Sequence, residues 1–355
     1  MSTPDRPLVT FALFAYNQER FIRQAVEGAF SQTYSPLEII LSDDCSTDHT
    51  FEILSTMVST YSGPHSIRMN QTQHNGGLAA HINEVMALAK GELVVVAAGD
   101  DISVPGRVEM LMEEWQRNGR PSGMASGTLN IDVSGDVIGQ SHWRGKQQFL
   151  KAASRTELLH GFVRQEIDCV LPGCSAAWSR TAWEEFGSLA NGVVSEDDVL
   201  TFRSLLLRGI VLIDAPLVKY RQHSGSIANR PGPKEQNVQS YLAYEKHKSE
   251  WAGMEASTFR GILADLDTAC QKRLIDDETA KKLFQGIKAT IVGLELRSHW
   301  WGLPFHQRIV HYTQCPDRRF PLNFTSFLSL ETHSKIHTRL ARFKRKLSRQ
   351  RVKKC

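Results

Sequence analysis

The sequence predicts an α/β protein, a mostly parallel β-sheet flanked by helices and followed by a helical C-terminal extension. Three observations predict it. Apolar runs of strand length alternate with helical patterns through the first hundred residues, in units of roughly 20–30 residues that suit strand–helix–strand crossovers. Acidic and polar residues cluster where the strand runs stop. Beyond Pro231-Gly232-Pro233, the clearest boundary in the chain, residues 235–300 look helical throughout.

Each element has its own signal. Residues 8–16, "LVTFALFAY", form an apolar strand-length run. In residues 17–32, Phe21, Ala25 and Ala29 recur at helical spacing beside Ile22, Val26 and Phe30. "LEIILSDDCS" (37–46) is a second strand, and 46–61 opens with a capping signal and continues as a helix. "HSIRMNQT" (65–72) is a weaker third strand, 76–91 a helix, and "ELVVVAAGDD" (92–101) the fourth strand. A helix over about 107–118 leads to residues 119–141, rich in Gly and Ser and weakly specified as short strands or loops. Helical patterns follow at 154–165, 179–187 and 195–209, then one more strand and a polar loop from 210. The expected organisation is one domain over 7–228, a helical extension over 229–334 and a basic tail over 335–355.

Composition narrows the class. The chain has 355 residues, 41% of them hydrophobic, enough for one large domain with an extension or for two domains. Its first residues show no secretory signal, and the longest aliphatic run is far below the ~20 residues that a membrane span needs. Six scattered cysteines (45, 169, 174, 270, 315, 355) complete no zinc pattern, which predicts reduced thiols in a cytosolic protein. The net charge of +4 is local: residues 335–355 hold ten Lys/Arg and no acid, so the rest is −6, with 32 basic against 38 acidic residues. Such a distribution does not mark a nucleic-acid binder, and no aromatic platform accompanies the basic run. In that tail Ile336, Leu340, Phe343 and Leu347 fall within an arc of roughly 60° on a helix. The pattern suits an amphipathic helix lying on an anionic membrane surface; a solvated basic tail remains the alternative.

The chemistry gathers at strand ends, where open α/β sheets bind their ligands. Asp100 and Asp101 follow the buried fourth strand. Paired carboxylates there repel each other, and burial raises the cost of charging either one. A hard divalent cation with a phosphate would relieve that cost; a helix-start role for the pair is the alternative. Asp43 and Asp44 close the second strand and suit base or ribose contacts, with Ser46 or Asp48 capping the next helix. Tyr16 could flank a planar ring, and Asn17 reads as a helix cap. Glu196, Asp197 and Asp198 stand at a helix N-terminus, where the dipole favours carboxylates and where an ordered general base could sit.

As an ordered set, "VTFALFAYNQERFIRQAVEGAFSQTY", "LEIILSDDCSTDHTFEIL", "HNGGLAAHINEVMALAKGELVVVAAGDD", "SEDDVLTFRSLLLRG" and "VKYRQHSGS" resemble the family 2 glycosyltransferases, which have the GT-A nucleotide-sugar-binding fold. The resemblance spans roughly residues 7–228. It implies an inverting transfer of a sugar from a nucleotide-diphosphate donor to an acceptor hydroxyl, aided by Mg²⁺ or Mn²⁺. On the matching positions, Tyr16 and Asp44 would hold the nucleobase, with Asp43 beside Asp44 as a further nucleotide-binding candidate. Asp100 would meet ribose and metal, Asp101 and His223 metal, and Asp197, paired with Glu196, would be the base. Arg221 would meet a phosphate or serve the structure. Ala98 stands where most members carry an aspartate, which leaves ribose contact to Asp100 alone and metal to Asp101; Phe14-Ala15 replaces the usual Thr/Ser before Tyr16. The implied setting is cell-envelope polysaccharide or glycolipid synthesis, with a carbohydrate or lipid-linked acceptor and no nucleic acid, at the cytoplasmic side of a membrane. Ala98 also keeps open a nucleotide-sugar binder without catalysis. A nucleotidyltransferase is disfavoured, because "AYNQERF" lacks a Gly-rich basic loop.

Overall fold

The computed structural model describes residues 6–141, 143–167, 169–223, 226, 238–304 and 306–308; the basic tail lies outside the described residues. The first half alternates as expected: β1 (Val9–Ala15), α1 (Ile22–Phe30), β2 (Leu37–Asp43), α2 (Thr50–Ser59), β3 (Ser66–Gln71), α3 (Leu78–Leu88) and β4 (Leu93–Ala98). Then come β5 (Ile102–Ser103), α4 (Arg107–Arg117), β6 (Gly123–Ile131), β7 (Val137–Ser141), α5 (Arg144–Ala152) and α6 (Arg155–Val163). The second half continues through β8 (Ala176–Ser179), α7 (Thr181–Phe186), α8 (Glu196–Leu206) and β9 (Ile210–Arg221) to α9 (Val238–Gln271) and α10 (Asp277–His299).

The nine strands of the described residues join one sheet in the order β3-β2-β1-β4-β8-β6-β9-β5, with β7 paired to β6. β3, β2, β1 and β4 are parallel. From β4 onward the sheet is mixed: β8 runs antiparallel to β4 and β6, and β9 lies parallel to β6. β1 is buried along its whole length, because its side chains alternate between two cores. Phe11 and Leu13 pack with Ile22, Val26 and Leu111 on one face. Ala12 and Phe14 pack on the other face with Ile82, Phe162, Phe202, Phe259 and Leu283. That second core is shared by α3, α6, α8, α9 and α10, so the helical extension packs into the sheet-covering layer.

Three local expectations change. The helix expected from residue 17 starts at Ile22, and Asn17 does not cap it: Asn17 has φ 52°, and its Oδ1 accepts the Thr47 amide at 2.8 Å. The polar 119–141 segment supplies β6, a strand with three neighbours. Its small residues answer to close packing: a Cβ on Gly123 would lie 2.8 Å from Ser204 Oγ and 2.9 Å from the Trp178 ring. The region 235–300 breaks into two helices where Asp276 caps α10 through the Thr279 amide at 2.8 Å.

Candidate active site

The parallel register delivers the first residues together. Ala15 pairs with Asp43 and Phe14 with Ala98, and two further bonds extend the ladder, Asp44 N to Ala15 O and Gly99 N to Phe14 O, both 2.9 Å. Tyr16, Asp44 and Asp100 therefore lie together just beyond the carboxyl ends of β1, β2 and β4. Tyr16 is 44% exposed, with its ring open to a ligand. Asp43 is fully buried and organises the turn: it accepts the Ser46 amide at 2.9 Å, the Ser46 hydroxyl and the Gln71 amide group at 3.1 Å. Asp48 Oδ1 accepts the Thr50 amide at 2.9 Å at the start of α2. Asp44 accepts the Thr72 hydroxyl at 2.9 Å and the Gly76 amide at 3.3 Å through Oδ1. Its Oδ2 takes no hydrogen bond among the described residues.

β5 pairs antiparallel with β9 and brings the end of β9 back over β4. The three residues expected to share a metal are thereby divided. Asp100 Oδ2 meets His223 Nε2 at 2.9 Å in a partly open setting. The Asp101 carboxylate turns inward instead; Oδ1 accepts the Arg221 amide at 2.8 Å, and Oδ2 is buried with no hydrogen-bond partner. Burial first, then the Asp100 charge, pushes Asp101 up to about 8. Arg221 is buried and internally engaged. Its guanidinium donates to Asp100 O at 2.9 Å, Asp132 O at 3.0 Å, Val133 O at 3.2 Å and Gln24 Oε1 at 2.6 Å, and it lies 4.7 Å over the Phe21 ring. Of its two readings the structural one holds: Arg221 clamps β9, β4 and the β6–β7 turn so that His223 reaches Asp100.

The fourth constellation sits at the first turn of α8. Glu196 and Asp197 border a small cavity of about 20 Å³, lined by Phe14, Ile82, Met86, Val96, Trp178, Trp183 and Leu200, which has room for about one water. Asp197 Oδ1 is sealed under Gly173 without a hydrogen bond. Burial and then the Glu196 charge hold Asp197 well above the usual carboxylate range; Glu196 is also raised by burial. A Cβ at Gly173 would come 2.6 Å from Asp197 Oδ1, so a side chain there would push that carboxylate out of place. Burial raises the Cys174 thiol, reinforced by Asp101, Asp197 and Asp100 and opposed by Arg107, so it stays neutral between the acidic groups. Arg107 is fully buried, donates to Ser103 Oγ at 2.9 Å and Val96 O at 2.7 Å, and is lowered to about 10 by burial. It remains cationic at neutral pH beside Asp101. Nothing in the sequence pattern singles out Gly173 or Arg107 or gives Cys174 a role; a Pro-Gly turn dipeptide at 172–173 is the one local cue to that loop.

Among the described residues no three His, Cys, Asp or Glu side chains converge as a metal cluster. The Asp100–His223 pair nevertheless suits a hard cation. Asp100 Oδ1 takes no hydrogen bond among the described residues, and Mg²⁺-type ions commonly bind through one or two carboxylates with substrate phosphates and water completing the shell.

A mixed α/β sheet flanked by helices, with carboxylates gathered at its strand ends, defines the class of fold. The mannosyltransferase PcManGT from Pyrobaculum calidifontis, solved with GDP-Man and Mn²⁺, shares that fold, with a TM-score of 0.51 at 15% identity over 94% of this chain and 88% of that one. Residues 10–168 match Glycosyl transferase family 2. The glycosyltransferase GlyG of Streptococcus pneumoniae serotype 4 is 31% identical over 231 residues, 62% of this chain and 72% of GlyG. EpsE of Bacillus subtilis is 33% identical over 129 residues, 36% of this chain, and the match spans 46% of EpsE, less than half of that relative. The chain belongs to glycosyl transferase family 2, and its fold is GT-A.

Proposed function

We propose that this chain transfers a sugar from a nucleotide-diphosphate donor to an acceptor hydroxyl with inversion. The observation that carries the reading is the Asp197 carboxylate at the start of α8, sealed under Gly173 beside a small cavity and raised by burial. Tyr16 flanks the nucleobase, and Asp44 Oδ2 accepts from base or ribose. Asp43 acts through the turn that it organises. Asp100 and His223 hold a Mg²⁺ or Mn²⁺ ion; Asp101 supports them from below. When bound, the ion neutralises the charge that develops on the departing diphosphate.

Asp197 takes the proton of the acceptor hydroxyl. As the acceptor oxygen bonds to the anomeric carbon, the bond to the diphosphate breaks and the electron pair leaves with the phosphate oxygen. A carboxylate raised above its usual range by burial accepts that proton with a larger driving force than an ordinary one. It must first ionise, so turnover rises with pH through its raised pKa. Glu196 keeps the pair's shared charge adjustable.

For the acceptor we propose a carbohydrate or lipid-linked glycan of envelope synthesis, with the 335–355 tail on the anionic inner membrane face. No helix among the described residues is long and apolar enough to cross a membrane, in keeping with peripheral attachment. Sedimentation with anionic vesicles, released by salt and lost on truncation after Thr332, tests that arm. A panel of UDP- and GDP-sugars with Mn²⁺, Mg²⁺ or EDTA tests the donor reading: metal-dependent hydrolysis by the full chain is expected. Ala98, at the end of β4 in place of the usual aspartate, favours one rival, a binder without catalysis. Metal-dependent thermal stabilisation without hydrolysis or transfer would support that rival.

A further inference from the structure

The loop that delivers Asp197, residues 187–195, is fastened at its start, middle and end. At its start, Arg203 on α8 donates to Gly187 O at 2.7 Å and Ser188 O at 3.3 Å. The same guanidinium makes a two-pronged pair with Asp265 on α9, at 2.8 and 3.0 Å, with both side chains almost wholly buried. In the middle, Asn83 on α3 exchanges two hydrogen bonds with the Leu189 backbone, at 2.7 and 3.0 Å. At its end, the amides of Val194 and Ser195 converge on one acceptor, Thr258 Oγ1 on α9, at 3.2 and 3.4 Å. Thr258 is fully buried.

The first turn of α8 does not fix itself. Its N-cap, Ser195, makes no side-chain capping bond, although Ser is a favoured capping residue. The helix start is anchored from outside, one residue before Glu196 and two before Asp197. The same face of α9 is kept small to admit the loop: a Cβ on Gly261 would lie 3.2 Å from Val193 Cγ2.

We infer that α9 is a positioning element for the base: Thr258, through the Val194 and Ser195 amides, and Asp265, through Arg203, set the direction of the Asp197 carboxylate. This rests on the assignment of Asp197 as base. Neither Thr258 nor Asp265 borders the cavity beside Glu196 and Asp197; both act through the backbone that carries those carboxylates. The helical extension thereby becomes part of the catalytic apparatus.

Thr258→Val keeps the side-chain shape and removes the acceptor; Thr258→Ser keeps the acceptor. In the full chain, with the UDP- or GDP-sugar turned over in the panel above, Thr258→Val should lower kcat about tenfold, because small misplacements of a reacting group are costly. KM for the donor should stay within about twofold while kcat falls, a split expected of an interaction felt in the transition state. Thr258→Ser should restore kcat. Hydrogen exchange at the Val194 and Ser195 amides should speed up in the Val variant and recover in the Ser variant. If Thr258→Val does not fold, Thr258→Ala, which leaves space for a water, takes its place with the same measurements. A folded Thr258→Val protein with wild-type kcat, or with exchange at both amides unchanged, overturns the inference, as does failure of Ser to rescue. Asp197→Asn separates the two levels: if it turns over normally, the base assignment falls. If it is inactive while Thr258→Val is normal, only the role of α9 falls.

Discussion

The two acidic centres, Asp100–His223 and Glu196–Asp197, are built in opposite ways. Asp100 and His223 are partly open and bonded to each other at 2.9 Å; Arg221 holds the Asp100 carbonyl, and Asp101 holds the Arg221 amide two residues before His223. Asp197 has a sealed, unpartnered oxygen against an apolar cavity. An open, hydrogen-bonded pair is suited to exchanging water for an ion and phosphates. A desolvated carboxylate holds its proton more tightly and is suited to proton transfer. The second arrangement is costly, since an unsatisfied buried polar group opposes folding. The packed core of α8, α9 and α10 around Phe202, Phe259 and Leu283 is what tolerates it.

The largest expected effect falls on the sealed side. Asp197→Asn should lower turnover by about 10²–10⁴, the range for a lost general base, while metal-dependent thermal stabilisation by the donor persists. Equal loss of both would erase the contrast between a base centre and a binding centre. Next is the scaffold beneath it. Removing one partner of a buried ion pair costs about 3–5 kcal/mol, so Asp265→Ala should lower unfolding free energy by that order in urea melts. A change within error would mean that Arg203 finds another partner.

The open side is expected to respond through affinity. His223→Ala should weaken Mn²⁺-dependent donor binding about 10–100-fold, as loss of an orienting partner at a metal site typically does, and titration calorimetry would read it. Unchanged Mn²⁺ dependence would remove His223 from the metal assignment.

The smallest effect is a slope. Folding raises Asp101 from 3.8 to about 8, so the native protein keeps a proton that the unfolded chain releases. Stability of the metal-free protein therefore falls as pH rises from about 4 to about 8, by at most about 1.4 kcal/mol per pH unit for this group. Asp197 acts in the same direction. Asp101→Asn carries no such proton and should flatten the slope of melting temperature against pH. Parallel slopes for the two proteins would show that Asp101 ionises freely.

The residues of both centres were legible in the sequence, Asp100 at a strand end and Glu196–Asp197 at a helix start, but the sealing of Asp197 was not. Tyr16, Asp44 and Asp100 could be grouped because parallel strands end on one side and strand ends are visible as breaks in apolar runs. Even there local reading slipped: Asn17 seemed a cap for its own helix but reaches across to Thr47. Asp101 looked equivalent to Asp100, yet the turn between β4 and β5 carries it under the Arg221 amide, into the protein. Segment 119–141 hid a central strand because Gly123 and its small neighbours answer to Ser204 and Trp178, far away in sequence, and small residues carry no period.

The sequence by itself determined the alternation of strands and helices, the side on which polar residues gather and the acidic start of α8, because periodicity and strand termini are properties of neighbours along the chain. Only the tertiary structure decided which carboxylate faces solvent, which one loses its hydrogen bonds, and that His223 meets Asp100 across 123 positions. It also decided that Thr258 and Asp265 hold the loop before Asp197. A hydroxyl or a carboxylate on one face of a long helix looks the same whether it meets water or two backbone amides; burial and partner are set by what packs against it, and that is fixed only when the chain folds.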